Sequence, residues 1–424
     1  MSEVTWACSG HRVSASACRG ACLTPSGLQG FPQLQCLEMP ESRPAPIRHH
    51  DLDALRATAM LLGILLHACT RFMPYYDTDN VVASTTLETT IKVVHGFRMP
   101  LFFLISGFFT AMLWHKRGAL SLLRHRAKRV LLPFALSLIF VVPFIGWGFT
   151  TGQRLSGQTP GPRPDYLAKI LNIFDLKLTH LWFLWMLWVL VCFFVVAVSI
   201  GYLIQRLNPS VAAWLGRRRS IFIAVMVATT LAGQYGMSDS RFGAGYTETI
   251  LLDPTVLGYY AGFFAVGAAL CLPDGALHPY ISRVTKRWVT LSIAALVLGS
   301  AALLLVGPNL SVSRVLQVLF AWVSILALLG VFHKFFSISR PWVRWLSDAS
   351  YWLYVMHLPL VFVFQGLVVD WPLPFFVKTT LIFLFTLIPL LVSYQYAVRY
   401  TPIGTLLNGK RTRAKKRKAP FAAV

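Results

Sequence analysis

Residues 51–72 read DLDALRATAMLLGILLHACTRF, and the rest of the chain takes its meaning from this run. It is apolar apart from its charged start, Arg56 near that end and His67 toward the other. On an α-helix, eleven residues separate Arg56 from His67 by about 20° in azimuth and roughly 16 Å along the axis, so the two share a face. An ionisable side chain inside a membrane-spanning helix is costly and normally faces a cavity where it works. Two on one stripe strengthen that reading. Snorkelling to the interface also accounts for Arg56, and a satisfied core histidine also accounts for His67, so both alternatives stay open here.

The surrounding composition fits a helix of this kind. Of 424 residues, 56% are hydrophobic and only 13% charged, and the mean hydropathy is +0.60, a combination that marks a polytopic membrane protein. Ten apolar segments are long enough to span a bilayer, near 54–72, 93–114, 130–149, 180–203, 220–236, 254–272, 288–306, 314–332, 350–369 and 375–398. The expected fold is therefore all-α, a transmembrane bundle of about ten spans. Between the spans, Lys and Arg number 28 on the side of the amino terminus and 8 on the opposite side. The positive-inside rule then puts both termini in the cytoplasm, in agreement with an even number of spans. The net charge of +23 falls in these clusters, where it sets topology and meets anionic lipid, so nucleic acid is discounted as a partner.

Three regions follow. Residues 1–47 are expected to be disordered or a mis-assigned extension, with Met39 opening the chain. Four of the seven cysteines (Cys8, Cys18, Cys22 and Cys36) lie there, at spacings that match neither a zinc site nor a disulfide framework. Residues 48–400 form the membrane domain. Residues 401–424, with GKRTRAKKRK at 409–418, read as a basic cytoplasmic tail anchored on anionic lipid. With so little chain outside the membrane, the chemistry has to lie within the bundle.

Several polar residues stand out in the spans. Arg98 lies about five residues into the returning second segment, FRMPLFFLISGFF, which puts it at a depth similar to His67. A cation beside that imidazole favours its neutral form, able to accept a proton from a hydroxyl. Arg126 and Arg129, three apart, share a face at the expected start of the third span, where helix N–H groups also favour an anion. They suit the phosphates of a nucleotide-like donor, although a topological anchor explains the same charges. His180, Trp182, Trp185 and Trp188 gather in THLWFLWMLW, either as an interfacial belt or as a platform for sugar rings. Ser350, Tyr354 and His357 fall on one face of SDASYWLYVMHLPL, which also fits a network that only fixes packing. No phosphate loop, dinucleotide fingerprint, GxSxG elbow or His pair with metal-ligand spacing is found, and no metal is expected.

Taken together, LDALRATAMLLGILLHA, MPLFFLISGFF at 99–109, the Arg126 and Arg129 pair, and SYWLYVMHLPL at 350–360 resemble the integral-membrane acyltransferase-3 superfamily over nearly the whole chain from about residue 48 to 400. HLWFLWML resembles the branch of that superfamily that succinylates glucans. The resemblance implies a multi-pass enzyme of the bacterial inner membrane that moves an acyl group, acetyl or succinyl, from cytoplasmic acyl-CoA to a hydroxyl of a periplasmic or cell-envelope glycan. It implies His67 as catalytic base with Arg56 as its motif partner, and Arg126 and Arg129 as the donor-binding pair. Arg98, Trp182 and His357 are the further candidates for substrate contact. Acyl-CoA is expected as a co-substrate and no permanently bound cofactor is expected. A transporter or flippase of an anionic solute or glycan precursor would use the same membrane arginines and histidine, and predicts flux without acyl transfer. A structural partner of a glycan synthase predicts neither.

Overall fold

The computed structural model describes residues 6–8, 11–13, 49–69, 81–160, 176–237, 242–409 and 411. The chain divides into two units, residues 1–46 and 47–424. In the first, Trp6–Cys8 (β1) pairs antiparallel with His11–Val13 (β2), with Trp6 opposite Val13. Beyond that hairpin, the expected disorder of residues 1–47 lies outside the described residues.

The second unit is helical among its described residues, and each of the ten apolar segments falls on a helix, with residues 70–72 at the end of the first lying outside the described residues. α1 is His50–Cys69 and α2 Val81–Arg117. α3, Ala119–Arg126, runs through a π-turn at Ala127–Leu131 into α4, Leu132–Leu155. A 3-10 turn at Thr179–Leu181 leads into α5, Trp182–Leu207, followed by α6, Pro209–Arg217, and α7, Arg219–Gly236. α8 is Pro254–Ala269, α9 Pro279–Thr285, α10 Trp288–Leu304, α11 Leu310–Phe336 and α12 Pro341–Val368. α13, Phe375–Ser393, continues through a second π-turn at Tyr394–Val398, and α14 is Pro402–Asn408. Among the described residues, seven stretches are long and apolar enough to cross a bilayer: His50–Cys69, Glu88–Arg117, Ala119–Leu155, Thr179–Leu207, Leu310–Phe336, Pro341–Val368 and Phe375–Val398. Ser220–Gly236 and Trp288–Leu304 are apolar but shorter, and α8 has 16 residues.

The opening stretch of the sequence becomes the axis of the bundle. α1 packs against α2, α11, α12 and α13, which is why an apolar helix with two ionisable side chains on one face can be surrounded by protein rather than lipid. Elsewhere, small residues allow backbones to meet, as they do where no hydrophobic gradient drives helices together. α2 crosses α8 at Gly107 and Gly267, and a Cβ on either would collide with a carbonyl oxygen of the other helix, that of Phe264 or Leu104. Large apolar side chains such as Phe140, Leu203, Leu296 and Ile388 point outward, as the surface of a membrane protein requires.

Two helices begin well before their apolar segments. α2 starts at Val81 because VVASTTLETTIK contains no Gly or Pro to stop it, so Arg98 stands in mid-helix instead of near an end. α3 starts at Ala119, immediately after Gly118 at φ 75°. Arg126 and Arg129 are therefore not at a helix N-terminus as the sequence suggested, and the amide groups around them are engaged within the helix; Leu132, for example, donates to the Ala127 carbonyl. Any anion there is held by side chains.

Candidate active site

One cavity of about 1240 Å³ passes through the second unit, and Arg56, His67, Arg98, Arg126, Arg129, Trp182 and His357 line it, as do His180, Ser350 and Tyr354, whereas Trp185 and Trp188 of the same sequence cluster do not. Elements distant in sequence build its wall, among them α1, α2, the end of α3 with the π-turn after it, the start of α5 and α12.

Its first end is cationic. The Arg56 guanidinium donates to the Ser347 hydroxyl at 2.7 Å and carbonyl at 3.1 Å, and lies 3.6 Å from Asp53. Ser347 in turn donates to Asp53. Arg126 donates to the Thr110 hydroxyl at 2.9 Å, and Thr110 in turn donates to the Ser106 carbonyl. Tyr351 donates to the Arg129 carbonyl and so ties α12 to the π-turn. Among the described residues, neither Arg126 nor Arg129 has a carboxylate partner. Enclosed cations without counter-charge are costly, and a cavity that keeps two of them favours an anionic ligand. The π-turn matters because its extra residue per turn shifts the phase of the helix between Arg126 and Val130, a feature that recurs at functional sites.

Three imidazoles meet in the middle of the cavity. The rings of His67 and His357 are 5.0 Å apart, and those of His357 and His180 are 5.1 Å apart. His357 is 1% exposed and His180 8%, whereas His67 is only half-buried, so His67 is the member most open to the cavity. The other two are oriented by backbone carbonyls, which can only accept. Nδ1 of His357 therefore donates to Tyr354 and Leu353, and Nε2 is left as its lone pair. Nε2 of His180 donates to the carbonyl of Val355 at 3.3 Å. That carbonyl is free because the residue four positions on is Pro359, which has no N–H to return. Tyr354 donates to the carbonyl of His180 at 2.6 Å, and Thr179 just before it holds φ at 49°, an uncommon value for a β-branched residue. Gln365 donates to the backbone carbonyl of His67.

Arg98 reaches this cluster across α1. A Cβ on Gly63, one turn before His67, would strike Arg98 Nη1, so the guanidinium occupies the space that a side chain at 63 would fill. Among the described residues no carboxylate pairs with it. Such an uncompensated donor group, aimed beside an imidazole, is suited to developing negative charge.

At the opposite end the lining changes to mixed charge and aromatic rings. Lys92 pairs with Glu88 at 3.4 Å, Lys177 with Glu248 at 3.2 Å, and Tyr246 donates to Glu248. Trp182 stacks on Tyr246 at 6.2 Å and 29° and is 7% exposed, so like His357 it offers the cavity only a small part of its surface. The rim loop carrying Tyr246 is pinned by His95 to the Ala244 carbonyl, Tyr260 to Gly245 and Trp185 to Ile250. The sequence alone did not point to Gly63, Thr110, Ser347, Asp348 or Asn408. Only the proline two residues after His357 offered a local signal for the freed carbonyl.

A family model described as "Acyltransferase domain" matches residues 49–394. Glucans biosynthesis protein C of Salmonella schwarzengrund (strain CVM19633) is 25% identical, with 87% of this chain and 96% of that protein covered. The protein of the same name from Salmonella heidelberg (strain SL476) is 25% identical, with 76% and 84% covered. No solved structure matches.

Proposed function

The chain belongs to the acyltransferase family whose domain fills most of its second unit, and from that membership and the cavity we propose that this membrane enzyme moves an acyl group from cytoplasmic acyl-CoA to a hydroxyl of a periplasmic or cell-envelope glycan. One observation supports the two-substrate reading above the others. A single cavity joins an end bearing two cations without counter-charge to an end of rings and mixed charges, with a histidine cluster between them. The names of the relatives speak for a glucan-like acceptor.

In this reading the enzyme spans the bacterial inner membrane ten times with both termini in the cytoplasm. The donor's phosphates rest on Arg126 and Arg129. Its pantetheine arm, roughly 15–20 Å long, follows the stripe from Arg56 to His67, which helical rise sets at roughly 16 Å. The acceptor hydroxyl arrives from the other end, past Tyr246 and Trp182. His67 takes its proton as the oxygen attacks the thioester carbonyl, and the oxyanion formed faces Arg98. On collapse the carbon–sulfur bond breaks, the ester is released, and the coenzyme A thiolate recovers the proton from His67. No acyl-enzyme is needed, and CoA is a co-substrate rather than a resident cofactor.

The test is thiol release from acetyl-CoA and succinyl-CoA by purified protein in nanodiscs, with and without a periplasmic glycan extract. Acceptor-dependent release is expected from the parent and a fall of about 10²–10⁴-fold in His67→Ala. A folded His67→Ala protein that transfers at the parental rate overturns the assignment.

A further inference from the structure

The sequence reads residues 401 onward as a solvated basic tail, yet its first part closes the cationic end of the cavity. After the second π-turn the chain folds back as α14, and Leu407 and Asn408 line the cavity beside Arg129. Asn408 donates to the Asp348 carbonyl at 2.6 Å. Gly409 follows at φ 90°, with the Arg129 guanidinium where its Cβ would be. Arg411 donates to Asp348 Oδ1 at 2.7 Å, an ion pair in which the carboxylate is nearly buried.

Among the described residues at this end, Arg56, Arg126, Arg129 and Arg411 are the guanidinium groups, Asp53 and Asp348 the carboxylates, and His125 lies on the lining beside Arg126. Asp53 is taken up by Arg56 and Ser347. Asp348 lines the cavity directly, and without Arg411 its charge would be left facing Arg129 and any phosphate bound there. A buried carboxylate in that place would compete for the cations and repel the ligand.

We propose that Pro402–Asn408 and Arg411 are part of the donor site, where Arg411 cancels the charge of Asp348 and so leaves Arg126 and Arg129 to the phosphates of the ligand. This rests on the reading that the donor's phosphates bind at Arg126 and Arg129. Arg411 acts through Asp348, as a positioning residue. Phosphate chemistry has two sources at a membrane surface, the soluble donor and a lipid headgroup, and the donor is the one assigned.

The experiment measures binding of free coenzyme A to the full chain in nanodiscs of zwitterionic lipid, for the parent, Arg411→Gln, Asp348→Asn, the double variant Asp348→Asn/Arg411→Gln, and Arg126→Gln/Arg129→Gln. Arg411→Gln is expected to raise Kd about tenfold, as loss of one partner of a buried charge pair does, and the double variant to return to within about twofold of the parent. Such a rescue distinguishes charge cancellation from packing, because the double variant lacks both side-chain charges yet binds. Arg411→Gln at the parental Kd, or a double variant as weak as Arg411→Gln, overturns the proposal. Parental binding by Arg126→Gln/Arg129→Gln removes the donor reading itself, and this proposal with it. If Arg411→Gln does not fold, Asp348→Asn decides: it should bind coenzyme A more tightly, and unchanged or weaker binding overturns the idea. Repeating the series in anionic nanodiscs separates the sources, since a loss seen only there assigns the site to a headgroup and overturns the donor assignment.

Discussion

Gly63 and His67 stand one turn apart on α1, and a side chain from α2 fills the space between them. Gly63→Ala would push the Arg98 guanidinium away from the imidazole it accompanies. The expected result is a fall in kcat of about tenfold or more with little change in the KM for acyl-CoA, because a displaced oxyanion donor acts on the transition state and not on the remote phosphates. Steady-state kinetics of the purified variant checks this, and a loss confined to KM would count against Arg98 in that role. The spacing of Arg56 and His67 was readable because both lie on one helix. The need for glycine at 63 was not, because the atom that excludes a Cβ belongs to a residue 35 positions away.

Two elements owe their usefulness to irregularity. The π-turn at Ala127–Leu131 rotates Arg126 and Arg129 relative to a regular helix, and Pro359 in α12 releases the Val355 carbonyl to His180. Pro359→Ala would give that carbonyl an intrahelical donor again and leave His180 competing for it. The variant should have a thermal midpoint at or above that of the parent, since an interior proline is unfavourable in a helix, and a kcat several-fold lower. An unchanged kcat would show that the orientation of His180 does not matter to the reaction. The apolar helices were legible from hydropathy, but the starts of α2 and α3 were not. Apolar content marks what the bilayer covers, whereas a helix extends into polar residues wherever its backbone hydrogen bonds can continue.

For the whole molecule, the clustering of Lys and Arg predicts a cytoplasmic cationic end for the cavity, which thiol labelling reads directly. In a variant without the seven native cysteines, Glu88→Cys should react with a membrane-impermeant maleimide in intact spheroplasts. Leu120→Cys, exposed beside the basic α3, should react only after lysis. The reverse pattern would invert the orientation and with it the direction of transfer. The same experiment tests whether the two ends of the cavity open to different compartments, which transfer across a membrane requires.

The amino-acid sequence by itself determined that this is a helical membrane protein, which segments are apolar, and that Arg56 and His67 share a stripe. These depend on composition and on the period of a single helix, which are local. Only the tertiary structure decided that His180 and His357 complete a cluster with His67, that Arg98 lies over Gly63, and that Arg411 returns to Asp348. Each of these joins residues on different elements, and a contact of that kind depends on how helices cross, which no period along one helix records.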